Sequence, residues 1–247
     1  THAAGVVIGD RDLSEMIPVQ EGNNGIRLTQ YPMGILEEIG LLKMDFLGLR
    51  NLTLLESILR QLERSGQKPV PLKDIPMDDE KTFRLLQDGK TTGIFQLETE
   101  GMTSVLKHLK PTDFEDIVAV NALNRPGPMA NIPVYIERKH GKKMVSYPHP
   151  SLEPILKKTY GVIVYQEQIM QIASVMAGFT LGEADLLRRA VSKKKREILD
   201  QERVHFVNGA LKKGYQKEVA ENIYDLIVRF ADYGFNRSHA VAYSMIS

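Results

Sequence analysis

The chain has 247 residues, a net charge of +1, 43% apolar and 26% charged residues, and no cysteine. This is the composition of a globular protein with enough material for a real core, in one large domain or two modest ones. Absence of cysteine excludes a disulfide framework, a thiolate zinc site and a cysteine nucleophile, and fits a reducing, cytoplasmic setting; no apolar run approaches the roughly 20 residues a bilayer demands, and no basic-then-apolar leader opens the chain.

The first fifty residues predict β structure with turns. Gly22-Asn23-Asn24-Gly25 is a turn signal between two extended segments. Residues 41–46 read as a strand whose period of two puts Lys43 and Asp45 on one face and Leu42, Met44 and Phe46 on the other. Helices then take over. Leu54, Leu55, Ile58, Leu59 and Leu62 form one stripe, stopped at Gly66, and the proline-rich 66–76 reads as a linker. A short acidic-capped helix spans 78–88, a brief extended piece 94–97, and another helix 101–110 before Pro111. Thr112 and Glu115 have capping-box spacing for the next helix, which Arg125-Pro126-Gly127-Pro128 ends. Residues 161–165 are a strand or the lead into a helix over 167–177. Thr180 and Glu183 make a second capping box, opening a helix through Leu186, Leu187 and Ala190. Val219, Ile223, Leu226, Ile227 and Phe230 mark a further helix, ended by Gly234. The fold class is mainly α with a small β-containing N-terminal part, α+β overall. Neither end carries a loose polar tail, so we read the chain as an internal piece of a longer protein.

Charge is uneven along this order. Residues 138–247 hold 18 basic against 11 acidic side chains, whereas 1–137 hold 14 against 20. A basic end suits a phosphate-bearing partner, although a solvated helical face has the same letters. Arg188, Arg189, Lys193, Lys194, Lys195 and Arg196 concentrate that charge in nine positions with no acid among them. Guanidinium forks match phosphate oxygens, and the lysines add field. Asp45 is a lone carboxylate on a strand, either a hard-cation ligand or a salt-bridged surface acid. Asn236-Arg237-Ser238-His239 follows a sharp break at Tyr233-Gly234, as a ligand-contacting loop or a helix cap. Glycine-rich phosphate loops and a nucleophile elbow are missing, which removes P-loop, Rossmann and α/β-hydrolase readings.

Six motifs occur together and in order: Lys43-Met44-Asp45-Phe46-Leu47-Gly48-Leu49, Gly93-Ile94-Phe95-Gln96-Leu97-Glu98, Arg125-Pro126-Gly127-Pro128, Tyr165-Gln166-Glu167-Gln168, Leu187-Arg188-Arg189-Ala190 with Lys193, Lys194 and Lys195, and Gly234-Phe235-Asn236-Arg237-Ser238-His239. With these the chain resembles the bacterial DNA polymerase III alpha subunits of the DnaE type over essentially its whole length. The resemblance implies the last part of a polymerase-beta-like palm over 1–50 and much of the fingers over 51–247, truncated at its C-terminal end. It implies catalytic roles for Asp45, as a Mg²⁺ ligand in a two-metal site, and for Lys43. It also implies nucleotide contacts from Arg188, Arg189, Asn236, Ser238 and His239, and DNA contacts from Lys193, Lys194, Lys195, Arg196 and Arg237. Implied partners are primer–template DNA and deoxynucleoside triphosphates, with the sliding clamp and other replisome subunits binding the full protein, and no membrane. The family's other two catalytic aspartates form an Asp-x-Asp pair outside this sequence, so the chain by itself is expected not to polymerise. The competing reading is a non-catalytic helical nucleic-acid-binding or docking module.

Overall fold

The structure, a computed structural model, describes residues 2, 4–192, 196–231 and 233–247. The described residues are mainly helical with four short strands, and the chain divides into two compact units, Thr1–Pro69 and Val70–Ser247.

In the first unit β1 (Gly5–Ile8) pairs antiparallel with β4 (Leu42–Asp45), and β2 (Val19–Glu21) with β3 (Arg27–Thr29). The β2–β3 hairpin turns through 23–25, where Gly25 has a φ of 73°, as the turn signal requires. One element departs from expectation: Met33–Glu38 forms a short helix, α1, inside the stretch read as β. Its Leu36 packs with Ile17 and Leu41 as this unit's small core, so burial rather than local propensity fixes the helix. Register places Val6 opposite Met44 and Ile8 opposite Leu42, and all four side chains are exposed. The helix α2 (Arg50–Arg64) closes with a Schellman motif: Gly66 (φ +77°) is the left-handed residue, and the Gln67 N–H donates to Leu62 O at 3.0 Å.

Among the described residues the second unit is helices and turns, with one isolated parallel β-bridge. Its first apolar cluster joins α3 (Glu80–Gln87), α4 (Glu100–Leu109), α5 (Phe114–Leu123), α6 (Ile132–Lys139) and the buried 162–165 segment, with Ala240 of α12 (Arg237–Ile246). The second joins α7 (Glu153–Leu156), α8 (Gln166–Ala177), α9 (Leu181–Ser192), α10 (Arg196–Lys212) and α11 (Lys217–Ala231). Residues 94–97 are not extended: they form successive tight turns, with Gly93 at φ 76° and Gln96 at φ 62°, which drop Leu97 fully into the core. The cap of α5 is shifted by one residue from the spacing-based expectation. Asp113 and Asp116 make the box, because Asp116 Oδ2 accepts from the backbone N–H groups of Thr112 (3.0 Å) and Asp113 (3.3 Å), while Glu115 turns to Arg237. The Thr180–Glu183 box forms as its spacing predicts, with Thr180 N–H donating to Glu183 Oε2 at 2.7 Å. Among the described residues no helix is long and apolar enough to cross a membrane.

Candidate functional site

In the first unit, strand alternation sets Lys43 and Asp45 side by side on β4. Lys43 Nζ pairs directly with Asp45 Oδ1. The lysine side chain is largely buried and the carboxylate half-exposed, so the lysine is the anchored partner. The Lys43 hydrogen bond holds the Asp45 carboxyl below its usual value, and His2 Nδ1 lies 3.9 Å from the same oxygen. Among the described residues no group of three or more histidines, aspartates or glutamates gathers as a metal cage. Asp45 therefore presents one hard oxygen donor.

In the second unit the capped helix α9 carries Arg188 and Arg189 about two turns from its start. Asp185, one turn upstream, takes one arginine on each carboxylate oxygen. Arg188 Nε donates to Oδ1 at 2.8 Å, and Arg189 Nε lies 2.8 Å from Oδ2. The Arg188 hydrogen bond in turn holds the Asp185 carboxyl below its usual range. Two adjacent guanidinium groups repel; a shared carboxylate offsets that repulsion and aligns them. Arg188 also reaches α8, donating from Nη1 to Gln166 Oε1 at 3.3 Å. Lys193, Lys194 and Lys195 lie outside the described residues, and so does the side chain of Arg196, which opens α10.

The third element is the entry to α12. A single parallel β-bridge joins Tyr165 to Phe235: the Gln166 N–H donates to Phe235 O (2.9 Å) and the Phe235 N–H to Val164 O (3.1 Å). The bend before α8 is locked by buried Gln168. Its Oε1 accepts from the N–H groups of Val164 (2.8 Å) and Tyr165 (3.0 Å), and its amide donates to Thr159 Oγ1 (2.9 Å). Asn236 is the N-cap of α12: Oδ1 accepts from His239 N–H at 2.9 Å and from the Ser238 hydroxyl at 2.5 Å. Its amide donates to Glu167 Oε1 at 3.1 Å. Arg237 sends its guanidinium to Glu115 and over the Tyr165 ring. Burial pushes the Tyr165 hydroxyl well above its ordinary value, so it stays protonated. His239 is exposed and lies against Phe235 and Tyr243, with ring centroids 5.3 and 4.2 Å away. Arg125, its guanidinium 4.2 Å over the Phe235 ring, donates to Tyr233 O at 3.0 Å.

Thus Asp45 and Lys43 meet on one strand, Arg188 and Arg189 meet on one carboxylate, and Asn236, Ser238 and His239 share one cap. Sequence reasoning missed Asp185, although its positions three and four residues before the arginines are the helical ion-pair spacing. It also assigned no role to Gln166 or Glu167, whose partners are 22 and 69–70 residues away and leave no local signal.

Comparison with known proteins gives the family. Residues 51–214 match the family model described as the bacterial DNA polymerase III alpha subunit finger domain, and residues 1–48 the one described as its NTPase domain. The chain is 67% identical over 246 residues to the DNA polymerase III subunit alpha of Bacillus subtilis (strain 168). It is 61% identical over 247 residues to that of Halalkalibacterium halodurans, and 58% to that of Staphylococcus aureus (strain COL). These alignments take in 100% of this chain but only 22–23% of the relatives, so the chain spans less than a quarter of their length. With more than half of its residues inside the finger-domain match, the chain belongs to the bacterial DNA polymerase III alpha subunit family.

Proposed function

We propose that this chain is part of the catalytic subunit of a replicative DNA polymerase, which extends a DNA primer on a template with deoxynucleoside triphosphates. In this reading residues 1–50 are the end of the palm and 51–247 the fingers. The observation that carries it is the pair Arg188 and Arg189, set side by side on Asp185. Two forked cations at one place fit a triphosphate, whose spreading negative charge in phosphoryl transfer requires neutralisation. Asn236, Ser238 and His239 would border the same nucleotide, although the Asn236 carboxamide is already committed to capping α12 and to Glu167. The basic segment of Lys193, Lys194, Lys195 and Arg196, with Arg237, would track DNA phosphate without reading sequence.

A two-metal reaction uses paired ions bridged by several carboxylates. Asp45 fits as one oxygen donor for Mg²⁺, with Lys43 fixing its orientation and adding positive charge beside it. In this reading the remaining donors would come from other residues of the full protein, and this chain alone would not polymerise. Clamp and other replisome contacts, and work in the bacterial cytoplasm, belong to the same proposal.

The test is fluorescence anisotropy of a labelled primer–template across a salt series, with and without the matched deoxynucleoside triphosphate, for the chain and for Arg188→Ala/Arg189→Ala. Binding should weaken with salt with a slope of about −0.9 per phosphate neutralised. The triphosphate should tighten it, and the double variant should abolish that gain. Salt-sensitive binding with no triphosphate effect in either protein would leave a non-catalytic nucleic-acid-binding module as the better reading.

A further inference from the structure

We infer that Gln166 and Glu167 are positioning residues that register the two nucleotide-facing elements, α9 and the start of α12, against one another. The inference rests on the nucleotide role proposed above for Arg188 and Arg189.

The bridge between Tyr165 and Phe235 lays the entry of α8 beside the entry of α12, and Gln166 supplies one of its two hydrogen bonds through its own N–H. The approach is close: a Cβ at Gly234 would lie 3.2 Å from Gln166 Cγ. From this fixed strip two consecutive side chains leave toward different partners. Gln166 Oε1 accepts from Arg188 Nη1 at 3.3 Å, on α9. The Glu167 carboxylate accepts from the Arg237 N–H at 3.1 and 3.0 Å and from Asn236 Nδ2 at 3.1 Å, at the start of α12. Glu167 lies in the first turn of α8 and at the N-terminus of α12, so a negative charge there meets the favourable ends of two helix dipoles. Its bonds are charge-assisted, the strong kind. Asn236 is thereby held from both sides: its oxygen caps His239, and its amide is tied to Glu167. The strip of Tyr165, Gln166 and Glu167 therefore sets where an arginine of α9 stands relative to the exposed His239 of α12.

Neither side chain is buried, so substitution should leave the fold intact and loosen the register. Loose positioning groups raise the cost of ordering the site when substrate binds. The experiment is steady-state primer extension by the full-length polymerase subunit carrying this segment, comparing Gln166→Ala, Glu167→Gln, Glu167→Asp and Arg188→Ala/Arg189→Ala with the unaltered protein. We expect Glu167→Gln to raise the KM for deoxynucleoside triphosphate about tenfold, the scale of one charge-assisted hydrogen bond. Gln166→Ala should raise it about threefold, the weight of a long neutral–cation contact. Primer–template affinity should not move and melting temperature should fall by a few degrees at most, Glu167→Asp should recover part of the loss, and Gln166→Ala should add less when Arg188 is already alanine. If the arginine variant raises the triphosphate KM and neither Gln166→Ala nor Glu167→Gln does, the inference is wrong and the nucleotide role of the arginines stands. If Glu167→Gln lowers the melting temperature and weakens DNA and triphosphate alike, its role is structural and the inference is also wrong. If the arginine variant leaves the triphosphate KM unchanged, the nucleotide reading falls and the inference falls with it.

Discussion

Two capping schemes compete for the start of α5, and a pair of substitutions separates them. Residue spacing nominates Thr112 and Glu115, whereas the folded chain uses Asp113 and Asp116. Asp116 is 2% exposed and accepts from two backbone N–H groups, and Lys139 Nζ stands 2.8 Å from the same Oδ2. Asp116→Ala removes both backbone partners and leaves Lys139, with a side chain 8% exposed, as a cation without its counter-charge. Breaking a buried pair from one side costs about 3–5 kcal/mol. A chain of this size loses about 2–4 °C of melting temperature per kcal/mol, so the expected drop is roughly 6–20 °C. Glu115→Ala touches only the partly exposed pair with Arg237, worth about 0–1 kcal/mol. Thermal unfolding followed by far-UV circular dichroism measures both, since the chain has no tryptophan. A drop for Glu115→Ala as large as that for Asp116→Ala would refute the reasoning.

Helix α10 meets the end of α8 at Gly209, where an added Cβ would lie 2.2 Å from Ala177 O. Alanine is the better helix former by about 1 kcal/mol, but overpacking against a backbone carbonyl costs about 1–3 kcal/mol. Gly209→Ala should therefore lower the melting temperature, while Gly182→Ala in α9, where a Cβ meets open space, should hold or raise it; the reverse order would remove the close-approach argument. Acid sensitivity follows from the helix caps. Asp79 is held below its ordinary value of 3.8 chiefly by the Thr82 hydroxyl, and Glu183 below 4.5 chiefly by the Thr180 N–H. A depressed folded value means the unfolded chain takes up protons first, so this stabilisation is complete above the ordinary values and is lost as pH falls through and below them. Melting temperature should decline below about pH 4.5, and less steeply in Asp79→Asn; equal acid slopes for the two proteins would count against the cap's contribution.

Much of the site could be read without a fold. The hairpin around 23–25, the Thr180–Glu183 box, the neighbouring placement of Lys43 and Asp45, and the side-by-side arginines all follow from local rules of turn chemistry, capping and period. Those rules operate within four residues, so the sequence by itself was enough to determine them. It was also enough, through six ordered motifs, to determine the family. The tertiary structure decided what depends on distant partners. Burial of Leu36 made α1 a helix within a β-like stretch, and burial of Leu97 turned 94–97 into tight turns. The backbone N–H donors left open before α5 went to Asp116 rather than Glu115, whose carboxylate pairs with Arg237, 122 residues away. Spacing alone could not choose between a ligand loop and a cap for Asn236. Glu167, approaching from α8, and the N–H of His239 engage both ends of that carboxamide, which is a fact of packing rather than of local pattern.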